Sequence, residues 1–383
     1  MEYKTCKLKD IATVIMGQSP KGSSYNDKGN GKAFLQGNRT FGRLYPVIDT
    51  WTTEPNKIAK EKSILMSVRA PVGDLNIANQ EICIGRGLCS IEMNNGNNKY
   101  LFYLLKYSID EVKRKSSGTV FDSINRTELE NIDIIDFDEE IQNKITSILF
   151  NIDKKIELNN QINDNLQKLI LSIFNRFLDD NKDYNETTIK DAVKKIGTGA
   201  DAIQRAPIVE YDTGIRCIRV GDMTNSRTKY QWGFTEMTEK DFENYKLRIG
   251  DIIVTRTAVN GLSYLIEDDM KVVCNNGLIK MSVNSKYNPL YIYLYLQTKD
   301  FYDYVHRIDG ETSVRPNMKV EFFTSYKIME IPIDKQNEIC NQLSPLRKMQ
   351  QSIIIENERL ENLRDILLPK LMNGEIDLDK IEI

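Results

Sequence analysis

The chain has 383 residues, is 40% hydrophobic and 28% charged, and carries a formal net charge of −3. That balance argues for two or three ordinary folded domains and against wholesale disorder. No run of about 18 apolar residues occurs and the opening Met1-Glu2-Tyr3-Lys4 is no secretory leader, so a cytoplasmic protein without a membrane span is expected. Six scattered cysteines (Cys6, Cys83, Cys89, Cys217, Cys274, Cys340), none in a Cys-x-x-Cys pair, fit reduced thiols better than a disulfide frame or a zinc site.

Taken in chain order, the first predicted element is a short apolar helix around Leu8, Ile11 and Ala12. A polar, glycine-bearing stretch follows (Gly17 to Gly22), then a β-branched run, Ile64 to Val68, that reads as a strand between turns. A Tyr- and Leu-rich helix (100–107), a polar loop and a strand-like run (Ile132 to Phe137) complete this portion. Asp138, Glu139 and Glu140 then suit the positive end of a helix dipole. Behind them Ile141, Ile145, Ile148 and Ile152 recur at steps of 4, 3 and 4. Ile162, Leu166, Leu169 and Ile173 repeat those steps after a phase slip near Asn159 and Asn160. Forty residues (139–178) in one helix would span roughly 60 Å.

The plan then starts again. Ile189, Ala192 and Val193 open a second short helix, Gly197 to Gly199 follow, and Ile215 to Ile218 and Ile252 to Thr255 read as strands. A helix over 290–304 and a strand-like run from Tyr326 to Ile331 lead to a second long helix. There Ile339, Leu346, Ile353, Leu360 and Leu367 recur every seven residues. Such spacing keeps an apolar seam facing a partner helix, and the expected seam is Ile145, Ile152, Ile162, Leu166, Leu169, Ile173, Ile339, Leu346, Ile353, Leu360 and Leu367. Pro345 predicts a break or kink at 343–345 and Pro369 the end of the helix, with a turn at Asn373 and Gly374.

The two halves align in order. Lys62 to Gly73 matches Gly250 to Gly261, an offset of 188. Cys83 to Leu88 matches Cys274 to Leu278 with one residue deleted, and Tyr100 to Leu105 matches Tyr291 to Leu296. Ser117 to Asn125 answers Asp309 to Asn317, and Gln142 to Ile145 answers Gln336 to Ile339, an offset of 194. Chance similarity would not stay collinear, and a period near 190 residues is too long for a solenoid. The fold class expected is therefore α+β. Two tandem mixed α/β domains are separated by two long helices packed as an antiparallel coiled coil, with a pseudo-twofold repeat. The divisions fall at 1–138, 139–180, 181–333 and 334–383.

Catalytic constellations are sparse. The single histidine, His306, leaves little scope for a triad or a multi-histidine metal site, and no phosphate-binding Gly-x-x-x-x-Gly-Lys-Ser/Thr loop occurs. Asn288-Pro-Leu-Tyr291 resembles the box with which amino-methyltransferases hold a base amine, but Leu290 stands where a second proline belongs. Since Tyr291 aligns with Tyr100, Pro289 reads as a helix start. What remains are polar loop residues of the types that reach phosphates and base edges. In the first copy they are Gln18, Ser19, Gln36, Asn38, Arg39, Arg69, Arg86, Ser117, Thr119 and Arg126. In the second they are Arg216, Arg219, Asn225, Arg227, Arg256, Asn260, Arg307, Thr312, Ser313 and Arg315.

On Lys7 to Ala12 with Gly17 to Pro20, Ser63 to Asp74, Cys83 to Leu88, Ile141 to Ile145 before a heptad helix, and the closing Leu367 to Glu375, the chain resembles the specificity subunit of type I restriction-modification systems. The resemblance covers essentially the whole chain. It implies two target recognition domains, each reading one half of a bipartite, asymmetric site in double-stranded DNA, and a helical spacer that sets the half-site separation. It implies as partners two copies of a methyltransferase subunit and, where cleavage occurs, restriction/motor subunits. S-adenosylmethionine, ATP and Mg would be bound by those partners, with no cofactor, no metal and no catalytic residue in this chain. The alternatives are a specificity subunit of a methylation-only or related phage-defence system, a self-contained DNA methyltransferase or nuclease, and a coiled-coil interaction protein without a DNA role.

Overall fold

The computed structural model describes residues 4–116, 123–201, 203–311 and 317–378. It forms two compact units, Met1–Asn160 with Asn357–Ile383, and Gln161–Glu356. Each unit takes half of each long helix, so this division cuts through the helices, whereas the sequence division follows their ends.

In the first unit the Leu8–Ile11 helix leads into a four-stranded sheet ordered Ala12–Met16, Leu88–Met93, Ile64–Ser67, Leu75–Ile77. Successive side chains of a strand face opposite ways, and the Ile64–Ser67 strand is buried on both sides. Ile64 and Met66 join the larger core with Tyr100, Leu101 and Leu104, while Leu65 joins a smaller one with Leu35, Ile82, Ile84 and Leu88. That smaller core underlies a second sheet, in which Lys32–Leu35 runs parallel to Ile82–Ile84. A two-stranded ribbon, Lys4–Lys7 with Asp133–Asp136, closes the portion before the long helix.

The second unit repeats the arrangement. Its four-stranded sheet is Val193–Thr198, Leu278–Val283, Ile252–Thr255, Ser263–Leu265, and Arg216–Ile218 runs parallel to Val272–Cys274 in the other sheet. Ile252 and Val254 face one core and Ile253 the other, as in the first copy. The helix expected over 290–304 is two helices, Pro289–Tyr295 and Lys299–Glu311. Asn288 caps the first by accepting from the Leu290 N–H at 2.9 Å, and the buried Tyr291 hydroxyl donates to the Met329 carbonyl at 3.0 Å. This segment is a capped helix start in the core.

The long helices are Glu139–Asp180 and Ile333–Met372. Within the first unit they run antiparallel. Ile145, Leu149, Leu368 and Leu371 share one core, followed by a buried ion pair, Arg364 Nη1 to Asp153 Oδ1 at 2.6 Å. Beyond it Asn159 Nδ2 donates to Asn357 Oδ1 at 2.8 Å, and Asn357 Nδ2 to Asn160 Oδ1 at 2.8 Å. Within the second unit the helices meet through Gln350, which donates to the Asn163 carbonyl and to Gln167 Oε1, and through Ile170, Phe174, Ile339 and Leu343 in one core.

This seam corrects the one expected from apolar spacing. Ile145, Ile339 and Ile353 are buried, whereas Ile152, Leu166, Ile173, Leu346, Leu360 and Leu367 are half-buried. Ile162 and Leu169 are 40% and 47% exposed. Past Asn159 the inward positions run through the half-buried Asn163 and Gln167 to the buried Ile170 and Phe174, at steps of four, four, three and four, which leaves Ile162 and Leu169 on the solvent side. Pro345 does not break the second helix either. It is exposed between the buried Leu343 and Arg347, and that packing offsets the one hydrogen bond the proline cannot donate. Pro369 also lies inside the helix, which ends at Met372 before Gly374, whose φ of 71° suits a left-handed cap.

Candidate nucleic-acid interface

At one end of the first copy four chain segments converge through backbone hydrogen bonds. Gly17 N–H donates to Leu88 O and Gln18 N–H to Ile84 O, both at 2.9 Å; Gly85 N–H donates to Leu35 O at 2.8 Å and Val68 N–H to Gly87 O at 2.9 Å. Glycine is required here, because a Cβ on Gly17 would drive into the Gly85 and Leu88 carbonyl oxygens and one on Gly87 into that of Gln36. The consequence is a tip from which Gln18, Gln36, Arg69 and Arg86 project, all exposed. Ser19 links two of them, its hydroxyl donating to Gln36 Oε1 at 3.0 Å and accepting the Arg86 N–H at 3.2 Å.

Other candidates in this copy pair with neighbouring side chains. Asn38 donates to Asp74 Oδ2 at 2.5 Å, and Arg39 pairs with Asp49 at 2.7 Å, holding that carboxyl below its ordinary range together with Thr50. Arg126 pairs with Glu130 one helical turn on, at 2.7 Å. Ser117 and Thr119 lie outside the described residues.

The second copy reproduces the frame. Gly199 N–H donates to Leu278 O at 3.2 Å, Ala200 N–H to Cys274 O at 2.8 Å, Asn275 N–H to Ile218 O at 3.1 Å and Arg256 N–H to Gly277 O at 3.1 Å. Position by position, Ile84 therefore answers Cys274 and Leu88 answers Leu278, an uninterrupted match rather than one with a deleted residue. Val68 answers Arg256, as the offset of 188 has it. Ser123, which bridges to Arg69, answers Asn317, which bridges to Thr257; the alignment of Asn125 with Asn317 is corrected by two residues.

The second copy's arginines are mostly held. Arg216 donates to the carbonyls of Tyr230 at 2.8 Å and Trp232 at 2.6 Å and lies over the Phe234 ring, so it ties its strand to the turn that leads into Gly233–Thr235. Arg219 and Arg227 converge on Asp222, whose side chain is fully buried, at 3.4 and 3.0 Å. Asn225 donates to the Gly221 carbonyl at 2.7 Å, and Arg256 donates to Asn317 Oδ1 at 3.1 Å. Arg227 and Asn260 share the wall of a cleft of about 650 Å³ with Trp232, Tyr264 and Phe301. Arg307 is exposed on the Lys299–Glu311 helix, while Thr312, Ser313 and Arg315 lie outside the described residues.

Asp222 and Arg43 are among the charged residues that escaped the sequence reading. Asp222 had a signal, since an acid three residues after Arg219 has capping-box spacing, and it accepts the Arg219 N–H at 2.9 Å. Arg43 had none; it pairs with Glu361 and lies 3.8 Å from Asp153, contacts distant in sequence. Asp153 also accepts from the Tyr103 hydroxyl at 2.7 Å, and burial foremost, with this carboxylate, pushes that phenol up. The long helices are fastened to their α/β portions by equivalent pairs. Gln142 donates to Phe137 O at 2.8 Å and Gln336 to Ile331 O at 2.6 Å. Asn97 reaches Asn143 at 3.1 Å, as Asn288 reaches Asn337 at 2.8 Å.

Comparison with known proteins finds the chain matched twice by one family. The family model for the type I restriction modification DNA specificity domain matches residues 1–168 and again 181–364. A protein of Methanocaldococcus jannaschii assigned as the type I restriction enzyme MjaX specificity subunit is 41% identical over 167 residues, 43% of this chain and 39% of that one. The chain thus aligns with about two fifths of that relative. The MjaIX specificity subunit of the same organism is 26% identical over 367 residues, 85% of this chain and 80% of the relative. Among solved structures, the type I S subunit from M. genitalium matches with a TM-score of 0.58 over 97% of this chain and 96% of that chain, at 15% identity, a likeness of fold.

Proposed function

The chain belongs to the type I restriction-modification DNA specificity family, and from that premise we propose that it is the sequence-reading, non-catalytic subunit of such a complex, each copy reading one half of a bipartite, asymmetric DNA site. The observation that carries this is the repeated tip: one backbone frame, present twice, that holds different polar side chains together at one end of each α/β portion. Tips bearing glutamine, arginine and asparagine supply the donors and acceptors that base edges match, while flanking basic residues contact phosphates. The long helices serve as the seat for two copies of a methyltransferase subunit, the pseudo-repeat offering equivalent surfaces to equivalent partners. S-adenosylmethionine, and ATP with Mg where cleavage occurs, belong to those partners. Among the described residues no helix is long and apolar enough to cross a membrane, which fits a protein acting on DNA.

The test is selection from a randomised duplex library by the chain assembled with its methyltransferase partner, with transfer of labelled methyl groups followed in parallel. The expected outcome is two short, dissimilar half-sites at a fixed gap, with affinity falling linearly in log–log terms as salt rises, and methyl transfer only when the partner is present. Transfer by the isolated chain, or selection of no bipartite site, contradicts the proposal.

A further inference from the structure

Because the two copies share one hydrogen-bond frame, residues at the tip can be matched by register instead of by resemblance. Gln18 and Ala200 make the same bond, to Ile84 O and Cys274 O, so Ser19 answers Asp201. Leu35 and Ile218 accept from Gly85 and Asn275, so Gln36 answers Arg219. The segments 84–88 and 274–278 match without a gap, so Arg86 answers Asn276. We infer that these three register positions select the bases of each half-site: Ser19, Gln36 and Arg86 in the first copy, and Asp201, Arg219 and Asn276 in the second. Asp222 is a positioning residue for Arg219. The inference deepens the DNA-reading proposal and rests on it.

The chemistry differs at every position. In the first copy Gln36 offers an amide that can both donate to and accept from adenine, and Arg86 a fork suited to guanine. In the second copy Asp201 is half-buried, and its Oδ1 accepts the backbone N–H groups of Gln204 at 3.0 Å and Ile203 at 2.8 Å. Those bonds, Gln204 first, hold its carboxyl below the ordinary range. It is therefore an obligate acceptor, matched to the cytosine amino group. Arg219 supplies the guanine-reading fork and the exposed Asn276 the adenine-reading amide.

Asp222 decides where the Arg219 fork points. Its carboxylate is buried at the third position of the Val220–Thr224 helix. It accepts the Arg219 backbone N–H at 2.9 Å and Nε at 3.4 Å, leaving the arginine's two terminal nitrogens outside that contact, and it takes Arg227 at 3.0 Å on its other oxygen. The corresponding short helix of the first copy, Asn38–Thr40, has no acid within it; there Gln36 is held instead by Ser19.

The experiment is half-site selection by the assembled methyltransferase complex carrying Asp201→Ala, Arg219→Ala, Asn276→Ala or Asp222→Asn, beside Gln36→Ala and Arg86→Ala. Each second-copy alanine variant is expected to relax discrimination at one base pair of one half-site by about tenfold to a hundredfold. The other half-site stays intact, and Gln36→Ala and Arg86→Ala do the reverse. Asp222→Asn is expected to relax the same base pair as Arg219→Ala, with the double variant no worse than the worse single, a coupling that a merely structural role would not produce. Unchanged base preferences in the alanine variants, while the unmodified complex still selects a bipartite site, overturn the assignment and leave the DNA-reading proposal standing. Uniform weakening at both half-sites overturns it too. If the unmodified complex selects no bipartite site, the reading beneath it falls as well.

Discussion

The two copies of the recognition fold agree where the backbone speaks and differ where side chains do. Ser67 and Thr255 occupy one place, each hydroxyl accepting the N–H seven residues on, from Asp74 at 2.8 Å and Leu262 at 2.9 Å. Gln142 and Gln336 repeat one clasp. Polarity at the helices is not repeated. In the first unit the domain brings a base, Arg43, to acids on the helices, Asp153 and Glu361. In the second the helix brings a base, Arg347, to an acid on the domain, Glu267, at 2.6 Å, with the Tyr293 ring beneath it. A duplicated frame tolerates such divergence because hydrogen-bond register needs no particular side chain, whereas charge pairs can be exchanged only together.

Point substitutions probe that contrast. The largest effect is expected from Arg364→Ala, which leaves the Asp153 carboxylate buried without its closest partner: a loss of about 3–5 kcal/mol in urea unfolding. Arg347→Ala should cost less, about 2 kcal/mol, because Glu267 is a third exposed and keeps access to water. Equal losses would erase the distinction between the two seams.

Gly17→Ala and Gly199→Ala should each cost about 1–3 kcal/mol, since a Cβ meets carbonyl oxygens at both positions. Gly197→Ala, where a Cβ meets nothing, should be near neutral. A harmless Gly199→Ala would deny that the second tip shares the first one's frame. Gln142→Ala and Gln336→Ala should match each other at about 1 kcal/mol; thermal unfolding that separates them would show the clasps are not equivalent.

The smallest effect concerns Asp191, which caps the N-terminus of the short helix at the start of the second copy. Hydrogen bonds from Thr187 and then Thr188 hold its carboxyl below the ordinary range. A depressed value means the fold favours the ionised form. Its contribution is therefore complete above the usual carboxylate range and drains away as pH falls through the lowered value. An NMR titration of Asp191 should show the low value, and Thr187→Val should raise it; no change would remove those hydroxyls from the account.

How much was legible in the sequence follows from what each signal measures. The duplication, the long helices and the helix start at Pro289 were readable, because each is a local pattern of apolar spacing or capping. The polar stretch of the seam was not, since counting only apolar residues passes over Asp153, Asn159, Asn357 and Arg364 and places Ile162 and Leu169 inward. Nor was the fate of the arginines. Arg216 reads like a base-contacting residue in a strand, yet its partners are the carbonyls of Tyr230 and Trp232, brought there by pairing that no linear pattern records. The polar tip of the first copy was partly visible through Gln18, Ser19, Gln36, Arg69 and Arg86; the second copy's was blurred by a gap that strand register removes.

The central claim, that each copy of one frame reads its own half-site, is tested most directly by exchanging residues 181–333 for those of another family member and mapping the sequence methylated by the assembled complex. The account predicts that one half-site changes wholly while the other keeps every base. A complex whose two half-sites both change, or neither, would contradict it.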